Sequence, residues 1–568
     1  MELSENAKKV AESRYFWEDE IEWGSLVERV CRENAKNEKE NIRNQYMEEF
    51  VSILKPMDFL PAGRILRNLG KLKPSTSNCN FLPIDDSIES IGETLKNYLV
   101  ISSYGGGNGI NFSNLRPKGA PLKTKGGTSS GMVSFIEVFN DAGKRIETGG
   151  QRRAAGIALC SVSHPEIEDF INAKVKHDRL TQFNISVIVD DEFLDAVEGN
   201  SDWDLKFAGR VYKTIKARKI WDMILNNMLE HSEPGLINWN NLRKNNSFYF
   251  QPIAGVNPCS ELPLENFGVC NLGSLVLPHF IINKNTDWKK LSKTIRLGVR
   301  FLDNIIDLAY YPIPQQETVV KNARRVGLST MGLADYLFMK ELRYGSEKAI
   351  TEIEKLYRFI RDEAYIASID LAKEKGAFPK YDKMEFNRAS FIRKLPAKIR
   401  MNIKESAIRN VTLLTAAPTG STSLLADVVG GIEPLPFKGY LRANGVGNRI
   451  YIHEHCKENY NAEWFVDSYD LKPEEHLDTQ VAVQKYIDSG VSKTIIMPKT
   501  STVKDLNKIL LEYIRDLKGI TIYRDESREK QVFYRMSKKE IEKTLKEGAA
   551  SSSLSEEDIQ CSTGVCDI

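Results

Sequence analysis

The sequence predicts an α/β protein, and three observations carry that prediction. Between about residues 157 and 250, strand-like runs (156–162 and 183–189) alternate with helical ones (167–175 and 220–229), as expected where helices cross between strands. The apolar run Val411-Thr412-Leu413-Leu414 leads through a small, hydroxyl-rich stretch into Leu424-Leu425-Ala426, which reads as buried strand, turn and helix start. Gly519-Ile520-Thr521-Ile522-Tyr523-Arg524 adds a last short strand.

Composition sets the class. The chain has 568 residues, 41% hydrophobic and 27% charged, which is ample for a large core. A net charge of +2 excludes the polybasic signature of nucleic-acid or membrane-surface binding. No apolar run approaches the roughly 20 residues that span a bilayer, and the first residues lack the apolar core of a signal peptide, so a cytoplasmic location is expected. Eight cysteines, Cys31, Cys79, Cys160, Cys259, Cys270, Cys456, Cys561 and Cys566, are too few for a disulfide framework and suit catalytic or redox use in a reducing compartment. None forms a paired CxxC zinc pattern, and His453-Glu454-His455-Cys456 lacks HExxH spacing, so no metal site is expected.

Taken in order, residues 1–58 place Ile21, Leu26, Val27 and Val30, then Tyr46, Phe50, Ile53 and Leu54, at helical spacing. They predict two or more amphipathic helices without chemistry of their own. Turn residues at Pro61-Ala62-Gly63 mark a boundary. Asp86 or Ser87 caps a helix through Ile88, Ile91, Leu95 and Leu99; the Asp86 carboxylate suits either a cap or a ribose hydroxyl. Tyr104-Gly105-Gly106-Gly107-Asn108-Gly109 is a glycine-rich turn that matches neither a dinucleotide fingerprint nor a P-loop, and requires only a bend or a close backbone approach. Arg116 follows it, and Arg152 and Arg153 sit in a further glycine-rich loop; such arginines fit anion binding or a solvated loop equally. Residues 286–376 read as mainly helical, with a small-residue turn at 326–333. Pro418-Thr419-Gly420-Ser421-Thr422-Ser423 offers backbone N–H groups to a phosphate or simply caps the helix that follows. From about 540 the chain takes on a linker composition and carries Cys561 and Cys566. A tethered dithiol exchanges readily with any disulfide within its reach.

The central stretch is Asn257-Pro258-Cys259-Ser260-Glu261, with Cys270 shortly after. If extended, it points an amide, a sulfur and a carboxylate to one side; a proline turn with a buried cysteine is the plain alternative.

Together and in this order, these motifs resemble the catalytic subunit of ribonucleotide reductase over nearly all of the chain from about residue 60. The resemblance implies a ten-stranded α/β barrel over 59–535, two antiparallel halves of five parallel strands around a central finger loop. A helical region (1–58) precedes it and a flexible tail with a redox cysteine pair (536–568) follows. It implies that Cys259 becomes a thiyl radical, that Glu261 is the base, and that Asn257 binds the ribose hydroxyls. Cys79 and Cys270 then supply reducing equivalents as they become a disulfide, which Cys561 and Cys566 re-reduce before a thioredoxin-like donor restores them. Asn78, Gly107 and 418–423 are implied to hold the ribonucleotide substrate. Asp86, Ser87, Arg116, Arg152 and Arg153 are implied to bind or relay a dNTP or ATP allosteric effector in a homodimer.

The family's subclasses differ in their radical source. Where members served by a ferritin-like metal subunit carry two adjacent tyrosines, this chain reads Ile522-Tyr523. That departure, and Ile520-Thr521-Ile522-Tyr523-Arg524-Asp525 with Ser527-Arg528, resemble the adenosylcobalamin-dependent class. The alternatives are a large subunit needing that metal-containing partner, with Tyr523 in its radical relay, and a non-catalytic nucleotide-binding regulator. A zinc deaminase is excluded, because the H-x-E…P-C-x-x-C ligands are absent.

Overall fold

The computed structural model describes residues 2–122, 126–148, 152–175, 179–444, 447–453, 455–525 and 533–547. Three helices open the chain: α1 (Glu5–Arg14), α2 (Trp23–Ala35) and α3 (Arg43–Leu54). The apolar stripe of α2 (Leu26, Val27, Val30, Cys31) and that of α3 (Phe50, Ile53, Leu54) are buried as the spacing predicts. Ile21 is the exception, at 81% exposed. The helix starts two residues later, at Trp23, whose indole is buried and donates to the Lys55 carbonyl at 3.1 Å. Phe50 packs edge-on against Phe301 of the long helix Trp288–Leu308, and Arg300 of that helix forks onto the fully buried Glu38.

Ten strands form one mixed sheet: β1 (Phe59–Pro61), β2 (Cys79–Leu82), β3 (Gly107–Asn111), β4 (Gly156–Ser161), β5 (Phe183–Val189), β6 (Gly235–Asn238), β7 (Val269–Val276), β8 (Val326–Met331), β9 (Thr494–Met497) and β10 (Gly519–Arg524). β2 to β6 are parallel neighbours in chain order. β10 joins β6 antiparallel and β9 joins β10 parallel. On the other flank β7 runs antiparallel to β2 and β1 and parallel to β8. The connections between the parallel strands are mostly helical, as in α/β folds.

The ladders do not close the sheet. Between β8 and β9 lies 411–416, which includes the expected strand 411–414 and makes only single parallel bridges, Leu328↔Leu414 and Ala416↔Val491. Backbone hydrogen bonds such as Leu328 N to the Leu413 carbonyl at 2.7 Å join it to its neighbours, and the Asp488 carboxylate accepts from the Leu413 and Leu414 N–H groups at 2.8 and 2.9 Å. The segment 326–331, expected as a turn, is instead the fully buried strand β8. Its small residues serve close strand packing, since a Cβ on Gly327 would lie 2.5 Å from Leu272 Cδ2. The β-hairpin of Asp202–Phe207 and Arg210–Lys216 was not foreseen; its second strand is largely exposed and polar. Ser87 is the N-cap of Ile88–Ser103, its Oγ accepting from Ser90 N at 3.1 Å. No helix among the described residues is long and apolar enough to cross a membrane, and no His/Cys/Asp/Glu group among them could hold a metal.

Candidate active site

Gly255–Val256 pairs antiparallel with Pro263–Leu264, and the central stretch forms the tip of that hairpin. The tip is a turn, so alternation along an extended strand is not what gathers its side chains. Ser260 takes φ = 63° and its N–H donates to the Asn257 carbonyl at 2.9 Å, which folds Glu261 back onto Asn257. The glycines of the preceding stretch make room for this hairpin. A Cβ on Gly109 would lie 1.8 Å from the Val256 oxygen, and one on Gly107 would lie 3.0 Å from Pro258 Cγ, so β3 offers bare backbone to the tip. From behind, Gly490 N–H and Thr415 Oγ1 both donate to the Glu261 carbonyl, at 2.6 and 3.0 Å.

Asn257, wholly buried, donates from Nδ2 to Glu261 Oε2 at 2.7 Å and accepts from Leu262 N–H at 2.9 Å. The Cys79 thiol contacts the other carboxylate oxygen at 3.7 Å. Burial pushes the Glu261 carboxyl up to about 7, against the lowering pull of its hydrogen bonds from Asn257 and Cys79. Cys79 and Cys270 are register partners on β2 and β7. Both are free thiols, and burial drives both upward; the neighbouring Glu261 and Cys259 raise Cys79 further. Cys259 is half-buried.

A cleft of about 570 Å³ opens onto this group, lined among others by Tyr15, Arg64, Asn78, Cys79, Cys259 and Glu261. Gly107 and Pro418 to Thr422 share its wall, whereas Ser423 is buried and turns its hydroxyl onto the Gly420 carbonyl at 2.8 Å. The buried Asn78 Oδ1 has no hydrogen-bond partner among the described residues, as suits an acceptor waiting for a ligand. A second, narrow cavity reaches Cys259 from the side of Ser186, Ser492, Gly519 and Thr521.

The other expected site residues lie apart from this cleft. Arg116 forks onto Asp86, with Nε 2.8 Å from Oδ2 and the backbone N–H 3.1 Å from Oδ1. Arg152–Arg153 is a short strand pairing with Glu147–Thr148. Tyr523 is a half-buried residue of β10, opposite Ile496. Cys561, Cys566, Ser527 and Arg528 lie outside the described residues.

Two contributions escaped the sequence. The N-terminal helices, expected to carry no chemistry, bring Tyr15 to the cleft, where its hydroxyl donates to Ser421 Oγ at 2.6 Å. A tyrosine at the end of an amphipathic helix gives no sign of a partner 406 residues away. Lys518 is buried, and burial lowers its ammonium to about 7. It donates to the Asp488 and Ser489 carbonyls at 2.7 and 2.6 Å, fixing the turn whose Gly490 holds Glu261.

Residues 77–523 match the family model for the ribonucleotide reductase barrel domain, and residues 1–74 match that for the ribonucleotide reductase all-alpha domain. The chain is 35% identical over 528 residues to the vitamin B12-dependent ribonucleoside-diphosphate reductase of Thermoplasma acidophilum, spanning 86% of this chain and 66% of that protein. It is 33% identical over 580 residues to the enzyme of the same name from Mycobacterium tuberculosis, spanning 94% of this chain and 81% of that protein. To the ribonucleoside-diphosphate reductase subunit alpha of Chlamydia pneumoniae it is 25% identical over 594 residues, covering 88% and 56%. With the hairpin, the facing cysteines and the sheet all inside the matched region, the chain belongs to the ribonucleotide reductase family, as a large subunit that reduces ribonucleotides.

Proposed function

We propose that the chain reduces ribonucleoside diphosphates by thiyl chemistry at Cys259, with adenosylcobalamin as the radical source. One observation carries this: Glu261, Cys79 and Cys259 line one cleft, the buried Asn257 holds Glu261 from behind, and Cys270 stands opposite Cys79. The cleft volume falls within the roughly 300–1,000 Å³ of small-molecule sites.

The residues have separable roles. Cys259 Sγ takes the 3′-hydrogen atom of the ribose and later returns it. Glu261 Oε accepts the 3′-hydroxyl proton, and a carboxyl poised near 7 suits that task at neutral pH. Asn257 orients Glu261 and the ribose hydroxyls. The 2′-hydroxyl leaves as water with a proton from Cys79, and Cys79 and Cys270 give two electrons and two protons as their thiols become one disulfide. The Pro418 to Thr422 wall and Arg64 face the phosphates. Closing the sheet through 411–416 gives the ten-stranded barrel of two five-stranded halves, with β1 added outside.

The family's cobalamin cofactor, when bound, supplies a carbon-centred radical able to take a hydrogen atom from a thiol. Cys259 fits such a contact. Among the redox candidates described it alone is half-buried rather than buried, and it borders the open cleft of about 570 Å³. A relay served by a metal-containing subunit is less well supported, because the position beside Tyr523 is the buried Ile522. We also assign effector binding to the Asp86, Ser87 and Arg116 corner with the Arg152–Arg153 strand, in a homodimer, and re-reduction to Cys561 and Cys566 with a thioredoxin-like donor. Cys259→Ser tests the core of the proposal: turnover should vanish while nucleotide affinity stays. Deoxynucleotide formation by that variant would refute the radical assignment.

A further inference from the structure

The mouth of the cleft carries cations that the reaction does not use. Arg67, Lys71 and Lys73 border it, on and just after the helix Gly63–Asn68. None of the three has a carboxylate partner among the described residues. Arg67 donates to the Phe16 carbonyl, Lys71 Nζ to Asn68 Oδ1 at 3.1 Å, and Lys73 Nζ lies 5.3 Å from the Tyr310 ring centroid. Leu72, between the two lysines, is 98% exposed. The loop is nevertheless well braced: Asn68 Nδ2 donates to the Ser75 carbonyl at 2.7 Å, Lys71 N to the Asn68 carbonyl at 3.0 Å, and Tyr310 N to the Pro74 carbonyl at 3.0 Å. It therefore presents a fixed basic surface with one apolar knob, at the entrance leading to Cys79. Cys79 borders the cleft and Cys270 does not.

A segment of the same chain has the complementary composition. Residues 548–568 follow the last described helix, Lys538–Glu547. They contain Glu556, Glu557, Asp558 and Asp567, no lysine or arginine, and Leu554 and Ile559 beside the acidic triplet. Cys561 stands three residues beyond Asp558 and Cys566 eight beyond it, spans of roughly 10 and 30 Å at most in extended chain.

We propose that the Arg67, Lys71, Leu72 and Lys73 rim is the docking surface for residues 554–559 of this chain, which seats Cys561 and Cys566 over Cys79. The proposal rests on the assignment of that pair as the internal reductant. Docking raises the local concentration of the dithiol at the cleft. One tail thiol attacks the Cys79 sulfur of the Cys79–Cys270 disulfide, the second resolves the mixed disulfide, and the tail leaves oxidised while both active-site thiols are restored.

The test uses the full chain carrying Lys71→Glu and Lys73→Glu. Diamide forms the Cys79–Cys270 disulfide without turnover, and Cys566→Ser in the same chain arrests the exchange as a Cys79–Cys561 mixed disulfide, counted by peptide mass mapping. The double reversal should slow that trapping, and thioredoxin-driven turnover, by about 5-fold or more at low salt. It should leave dithiothreitol-driven turnover within about 2-fold, since the small thiol needs no docking. Glu556→Lys with Glu557→Lys should restore the loss. Unchanged trapping in the double reversal would overturn the docking surface. A raised KM for nucleotide under dithiothreitol would overturn it too, by assigning the rim to substrate phosphates. Failure of the underlying assignment is separate: thioredoxin-driven turnover would then survive Cys561→Ser with Cys566→Ser.

Discussion

The Asn257 carboxamide holds Glu261 from one side only: its Nδ2 donates to Oε2 at 2.7 Å, leaving Oε1 to the Cys79 thiol at 3.7 Å. The carboxylate is therefore buried with two partners, and burial wins, placing its pKa near 7. A carboxyl held more basic when folded than when unfolded retains its proton in the native state between its ordinary value of 4.5 and about 7. Stability falls as pH rises through that window. Glu261→Gln should therefore be more stable than the parent at pH 8, by on the order of 1–3 kcal/mol, and match it near pH 4.5. The same variant should lose roughly 10²–10⁴-fold in kcat. Calorimetry at the two pH values, beside turnover, checks both signs.

Asn257→Ala removes the stronger of the interactions that hold the Glu261 pKa down. The acidic limb of the pH–rate profile should move upward by about one unit, the equivalent of one hydrogen bond to a charged group. Leu262 N–H also loses its acceptor, so the hairpin should be destabilised by about 1–3 kcal/mol. An unmoved limb with lowered stability would make Asn257 structural only.

Cys79 and Cys270 are direct partners across an antiparallel pair, where Cα atoms lie about 4.5–5.5 Å apart, within disulfide range. With Cys561→Ser and Cys566→Ser and no added reductant, the enzyme should make about one deoxynucleotide per chain and stop. Peptide mapping should then find Cys79 joined to Cys270, and continued turnover would remove this pair from the reaction.

Tyr15→Phe deletes one hydroxyl that reaches Ser421 from the N-terminal helices. The substrate wall loosens, so KM should rise about 3–10-fold with kcat within about 2-fold, consistent with one hydrogen bond of about 1 kcal/mol. A fall in kcat alone would place Tyr15 nearer the chemistry.

The sequence made the chemistry more legible than the architecture. Cys79, Cys259, Cys270, Glu261 and Asn257 could be named because their residue types have few other uses together. Their meeting, however, depends on a left-handed Ser260, on Gly109 admitting the Val256 carbonyl, and on Gly490 behind Glu261, contacts that no local pattern encodes. Strands of five to seven residues such as Phe183–Val189 matched their apolar runs. Val326–Met331 did not, because Gly, Ser and Thr in a buried strand look like a turn until the neighbouring Leu272 is seen to need the space. Conversely, 411–414 looks like a strand, yet it makes only the isolated bridge Leu328↔Leu414, and the Asp488 carboxylate holds the N–H groups of Leu413 and Leu414. Tyr15 lies in a region whose helical periodicity describes its core and says nothing of its outer face, and the rim cations follow the turn residues at 61–63, where no local pattern points to a binding surface.

Reduction of CDP by the isolated full chain with dithiothreitol, with and without adenosylcobalamin, tests the central claim most directly. Tyr523→Phe is run beside it. The account predicts turnover only with the cofactor, undiminished beyond about 2-fold in Tyr523→Phe, since a residue outside the radical route acts only on its local surroundings. Loss of activity in Tyr523→Phe, or activity that appears only when a metal-containing partner subunit is added, would contradict it.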